Sequence, residues 1–94
     1  VKTLHLFSSS PFQYRALQSA IPLLAEYDAL LLMGDASYAM HAEEVLKALP
    51  NSIKCFVLQD DAEARDIATK PHFELVSYAR FVELCVIYDK VQSW

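Results

Sequence analysis

Two cysteines, three histidines and a pair of adjacent acids are the residues of this 94-residue chain with the widest chemical reach. Cys55 and Cys85 stand 30 positions apart (85 − 55) with no Cys-x-x-Cys or His-x-x-x-His pattern around them. That spacing suits neither a zinc site nor a disulfide framework. Nucleophilic or persulfide chemistry needs a thiolate, which calls for a helix N-terminus or a neighbouring cation. Cys55 falls in an apolar stretch, on the face of Ile53 and Val57, and Cys85 falls within an apolar helical stripe. Both read as small buried hydrophobes.

The histidines give no triad. His5 alternates with Thr3 and Phe7, which favours a satisfied core or interface imidazole over a general base. His41 with Glu43 or Glu44 makes a solvated helix-surface set, and His72 falls in a loop. Of the paired acids, Asp60 suits a helix N-cap and Asp61 the first turn, where the helix dipole favours negative charge. A receiver domain would want an acidic pair after the first strand, where this chain has Ser8-Ser9-Ser10. The single glycine, Gly34, excludes both a three-glycine dinucleotide fingerprint and a two-glycine phosphate loop.

The elements that position these residues alternate. Lys2–Phe7 has period two and predicts a strand. Ser10-Pro11-Phe12-Gln13 is a capping-box sequence, predicting a helix that carries Phe12, Leu17, Ile21 and Leu24 on one side and kinks at Pro22. Asp28–Met33 is a short continuous apolar run, as expected of a central strand covered on both faces. Asp35 then caps a second helix with Tyr38, Ala42, Val45, Leu46 and Leu49 at helical spacing, stopped by Pro50-Asn51. Ile53–Leu58 predicts a third strand, and Asp60 with Glu63 a short helix holding Ala64, Arg65 and Ile67. Phe73–Val76 predicts a fourth strand, Ser77 a cap, and Tyr78, Phe81, Val82, Cys85 and Val86 the stripe of a last helix. Val91–Trp94 closes the chain as a tail or short strand.

Four strand–helix alternations with short connections predict an α/β fold: one domain over residues 1–94, with a mainly parallel sheet of four to five strands between helical layers. The working crevice of such a sheet lies beyond the carboxyl ends of its strands, here Ser8–Ser10, Gly34-Asp35, Gln59-Asp60 and Ser77. His5, Ser10 and Asp35 are the candidates to line it. The net charge of −4 opposes direct nucleic-acid binding, and an apolar run of the length of Ala29–Met33 is far too short to span a bilayer. With no charged segment ahead of an apolar one, a cytoplasmic protein with reduced thiols is expected. In so small a domain, apolar groups such as Phe12, Tyr14, Tyr38, Met40 and Trp94 either fill the core or face a partner; Phe12, Tyr38, Phe81 and Trp94 are the candidate interface residues.

Several segments, in this order and spacing, resemble the TusB/DsrH family of sulfur-relay subunits. They are Thr3-Leu4-His5 with Ser10-Pro11-Phe12; Leu30-Leu31-Leu32 with Asp35-Ala36 and Tyr38-Ala39; Val57-x-x-x-Asp61 with Ala64-Arg65; Tyr78 with Phe81-Val82-x-Leu84; and Val91-Gln92-Ser93-Trp94. The resemblance implies a small Rossmann-like fold of the DsrE/DsrF/DsrH type. It also implies a cytoplasmic dimer of heterotrimers with TusC/DsrF-like and TusD/DsrE-like subunits. Such a complex takes persulfide sulfur from an upstream carrier and passes it toward 2-thiolation of the tRNA wobble uridine. In the Dsr branch the related complex serves sulfur oxidation, and members of that kind carry a cysteine where this chain has Ala20. The Tus branch is therefore favoured, with the carrier cysteine on the TusD-like partner and no catalytic residue, metal or cofactor in this subunit. The alternatives are a DsrH-like subunit of a sulfur-oxidation complex, or a chain carrying persulfide itself on Cys55 or Cys85. The chain departs from the family at Asp66, where glycine commonly follows the Ala-Arg pair, and at Ser77, where an acid often precedes the tyrosine.

Overall fold

A computed structural model describes residues 1–12 and 15–94. Its elements are β1 (Thr3–Phe7), α1 (Ala16–Ala20) running into a 3₁₀ turn (Ile21–Leu23), β2 (Ala29–Leu32), a 3₁₀ segment (Gly34–His41), α2 (Glu43–Ala48), β3 (Lys54–Leu58), α3 (Gln59–Ala64), β4 (Phe73–Val76), α4 (Tyr78–Ile87) and β5 (Lys90–Ser93). The five strands form one sheet in the order β4-β3-β2-β1-β5. Every neighbouring pair is parallel, with Leu4 level with Ala29, Ala29 with Lys54, Cys55 with Phe73 and Thr3 with Lys90. The continuous apolar run is the central strand, and all four residues of β2 are fully buried. The terminal segment is an edge strand that extends the sheet beyond β1.

The two faces are covered unequally. On one, Phe7, Leu30, Leu32 and Val57 belong to a cluster with Leu17 and Val45 from the α1–α2 layer. On the other, α4 supplies Leu84, with Tyr88 just beyond it, to a smaller cluster of Leu4, Leu31, Phe56 and Val76.

Local signals held where nothing distant competed for them. β4 occupies Phe73–Val76, and the Ser77 hydroxyl accepts from the Arg80 amide at 3.1 Å, capping α4. Other expected caps do not form. The first helix begins at Ala16, because Ser10 turns its hydroxyl to the Phe12 amide two residues on, at 3.2 Å, and the chain makes a turn at Pro11-Phe12. Gln13, the other half of that expected capping box, lies outside the described residues, as does Tyr14. Pro22 does not kink the helix. The α-helix stops at Ala20, and the proline sits in the first turn of the 3₁₀ element, where its missing N–H has no partner to lose.

The second helix is also divided. Gly34–His41 is 3₁₀, and the extended backbone of Ala42 separates it from α2. Small buried side chains at Ala36, Ser37 and Ala39 let the tighter coil lie close on the sheet. Neither Asp35 nor Asp60 caps a helix: Met33 and Leu58 hold those positions without a side-chain bond. Only part of the expected α4 stripe turns inward. Phe81 and Cys85 flank Leu84 against the sheet, whereas Tyr78, Val82 and Val86 are 67%, 48% and 80% exposed.

Candidate functional site

At the carboxyl ends of the strands, Gly34 takes φ +53°, and a Cβ there would stand 3.4 Å from the Ser8 carbonyl oxygen. Glycine suits both the backbone conformation and the close approach to β1. The Gly34 N–H, free of any helical partner, donates to Asp61 Oδ2 at 2.7 Å. Arg65 Nε donates to Asp35 Oδ1 at 3.0 Å, and Arg65 Nη1 to the Asp61 carbonyl at 3.1 Å. Asp35, Asp61 and Arg65, each in a segment that carried the family resemblance, thus meet in one network. It fills the crevice with the chain's own charges: the amide that would cradle a phosphate already holds a carboxylate, which would repel a second anion.

The thiols are poorly placed for chemistry. Cys55 is 4% exposed in β3, and its Sγ lies 3.7 Å from the Ile53 carbonyl oxygen. Burial pushes this thiol up to about 12. Cys85 is half-buried in the last turn of α4, away from the helix N-terminus. Ala20 is fully buried at the end of α1.

His5 is the hub of a polar cluster. It is 7% exposed; its Nε2 lies 2.9 Å from Asp28 Oδ2, and its Nδ1 lies 3.0 Å from Trp94 Nε1. An indole nitrogen can only donate, so Nδ1 accepts from Trp94, and Nε2 carries the proton directed at Asp28. Asp28 also accepts from the Thr3 amide at 3.0 Å and the Ala25 amide at 3.1 Å. Burial by itself would raise the Asp28 carboxyl; the His5 bond and the two amides outweigh it and leave the group below its ordinary value. With Nε2 turned to Asp28 and Nδ1 to Trp94, this imidazole ties β2 and the residue after β5 to β1.

The sequence reading placed Asp28 at the start of an apolar strand and missed its role. The available signal was an acid entering a doubly covered strand, where a buried carboxylate demands partners.

The remaining candidates are dispersed. Ser10 is buried and spends its hydroxyl on the local turn; Asp35 is exposed beside Arg65. Phe12 is exposed, Tyr38 and Trp94 are 37% exposed, and Phe81 is half-buried with its ring edge-on to Tyr78 at 5.7 Å. His41 is exposed and lies 3.2 Å from the Ala68 carbonyl oxygen; His72 is exposed and meets Phe73 edge-on. An open groove of about 570 Å³ runs past Phe12, Arg15, Gln18, His41 and Glu44, with no thiol or hydroxyl nucleophile along it among the described residues. Among the described residues no three His, Cys, Asp or Glu side chains group to hold a metal, and no helix is long and apolar enough to cross a membrane.

The chain is thus a five-stranded parallel α/β protein with a self-filled crevice, a deeply buried thiol and an exposed apolar helix face. Comparison with known proteins makes this specific. Residues 9–91 match the model of the family described as DsrH like protein, and the chain belongs to that family. This is the sulfur-relay family that the ordered sequence segments resemble. The chain is 35% identical over 94 residues to Protein TusB of Yersinia pestis (strain Pestoides F), covering 95% of this chain and 99% of that one. The same figures hold for Protein TusB of Yersinia pseudotuberculosis serotype IB (strain PB1/+). In fold it is similar to the crystal structure of the ychN protein from E. coli, with a TM-score of 0.80, 19% identity, and coverage of 99% of this chain and 98% of that one.

Proposed function

We propose that this chain is a non-catalytic subunit of a cytoplasmic sulfur-relay complex of the TusBCD kind. Its partners are TusC/DsrF-like and TusD/DsrE-like subunits in a dimer of heterotrimers. The complex passes persulfide sulfur between carrier proteins toward 2-thiolation of the tRNA wobble uridine. In each transfer an acceptor thiolate attacks the outer sulfur of a donor persulfide, and the donor leaves as a thiolate. Both partners of that exchange therefore need a thiol that ionises readily.

The observation that carries the reading is the place of Cys55: it is 4% exposed within β3, and that burial pushes the thiol up to about 12, away from the thiolate form. The place of Cys85 supports it further, half-buried in the last turn of α4 and seven residues past the first residue of that helix. The exposed side chains of Tyr78, Val82 and Val86 support a docking role, because apolar helix faces of this kind are commonly covered by a partner. The net charge of −4 fits a middle station that hands sulfur to a protein and does not hold tRNA.

The test is to assemble the complex with Cys55→Ala and Cys85→Ala together in this subunit and to follow sulfur transfer from a persulfide donor to the downstream carrier. Transfer at the wild-type rate is expected. Loss of transfer by a complex of unchanged composition would assign the sulfur to this chain.

A further inference from the structure

We propose that His5 and Trp94 form a proton-sensitive latch that fastens the end of β5 to the sheet. β5 is an edge strand whose four residues are all exposed, so it adds little buried surface of its own. It is held by its ladder with β1 and, past its last residue, by Trp94. That residue's amide donates to the Leu6 carbonyl at 3.0 Å, its indole N–H donates to His5 Nδ1, and its ring stacks on the buried Phe7, 6.0 Å between centroids and 8° from parallel.

The indole bond exists only while Nδ1 has a free lone pair. An imidazolium carries N–H on both nitrogens, so protonation sets a donor against the Trp94 donor. Asp28 keeps the ring in place in either state, because Nε2 donates to its carboxylate throughout. The partner that must give way is the indole.

Lys2, Glu26, Tyr27, Lys54 and Tyr88 line one opening with Asp28. Among the described residues, Asp28 is the charged group bonded to His5. β2 brings Leu30 level with His5 and β5 brings Gln92, both uncharged, and Ala16–Leu23 carries no titratable side chain. Arg15 and Glu26 are exposed on the flanking segments. Lys2, Asp89 and Lys90 gather at the opposite end of β5, where the Lys2 amide donates to Asp89 at 2.8 Å and the ammonium lies over the Tyr88 ring. A proton on Nδ1 therefore loosens the end of β5, uncovering Phe7 and the outer edge of β1.

Trp94 is the only tryptophan, so its emission reports the latch directly in the full chain. Emission and amide hydrogen-exchange protection over β5 and residue 94 are followed from pH 8 to pH 5 in the wild type, His5→Gln and Trp94→Phe. In the wild type both readouts are expected to change together in a single-proton step, with protection falling about two- to tenfold, the weight of one hydrogen bond. His5→Gln, which cannot titrate, is expected to show no emission or exchange step, and Trp94→Phe, which keeps the stacked ring but has no indole N–H, no exchange step. A wild type without the step, or either variant with an exchange step of the same size, overturns the latch.

Discussion

Asp28 holds a buried charge at the start of the central strand, with His5, Thr3 and Ala25 all donating to it. Its carboxyl lies below the ordinary 3.8, so the unfolded chain binds that proton more tightly than the folded one. The contribution of Asp28 to stability is therefore whole above pH 3.8 and is lost as the pH falls from there through the lower folded value. Asp28→Asn is expected to cost about 1–3 kcal/mol at neutral pH, by leaving buried donors without full partners. In urea titrations its deficit against the wild type should shrink below pH 3.8. Cys55 gives a second prediction at this scale: an alkylating reagent at pH 8 should leave it unlabelled in the folded chain and label it after denaturation, as read by mass spectrometry. Asp66 supplies a third. Its φ of +52° is the left-handed conformation in which glycine is unstrained. Asp66→Gly should stabilise the chain by about 0.5 kcal/mol in thermal denaturation, a modest gain because aspartate tolerates this region better than most residues.

Elements specified by their own residues were legible in the sequence. The alternation of β1, the unbroken apolar run of β2 and the Ser77 cap each depend on neighbours a few positions apart. The misread features are those in which a distant group competes. Asp61 bonds an amide 27 residues away, and Trp94 reaches back 89 residues to His5, contacts that no local pattern carries. The stripe of α4 was misread for a related reason: periodicity finds an apolar face but does not say whether the same chain covers it. Here Leu84 turns to the sheet and Val86 to the surface. The two positions should separate cleanly. Leu84→Ala is expected to cost about 2–4 kcal/mol in chemical denaturation. Val86→Asp should change the stability of the isolated chain by less than about 0.5 kcal/mol yet weaken subunit assembly in co-purification.

At the scale of the whole molecule, the radius of gyration is 12.0 Å, close to the roughly 12 Å expected of a compact chain of this length. The exposed apolar residues of α4, Tyr78, Val82 and Val86, are therefore a surplus over a closed core. The self-filled crevice, the buried Cys55 and that surplus agree on one account, in which this subunit shapes a relay complex whose reactive cysteine lies on a partner. The most direct test is the native mass of the affinity-tagged chain isolated from its own cells, with each co-purifying subunit identified by mass spectrometry. The account predicts two further small α/β subunits in equal amounts and a mass near that of six chains. A lone monomer or a homo-oligomer would contradict it.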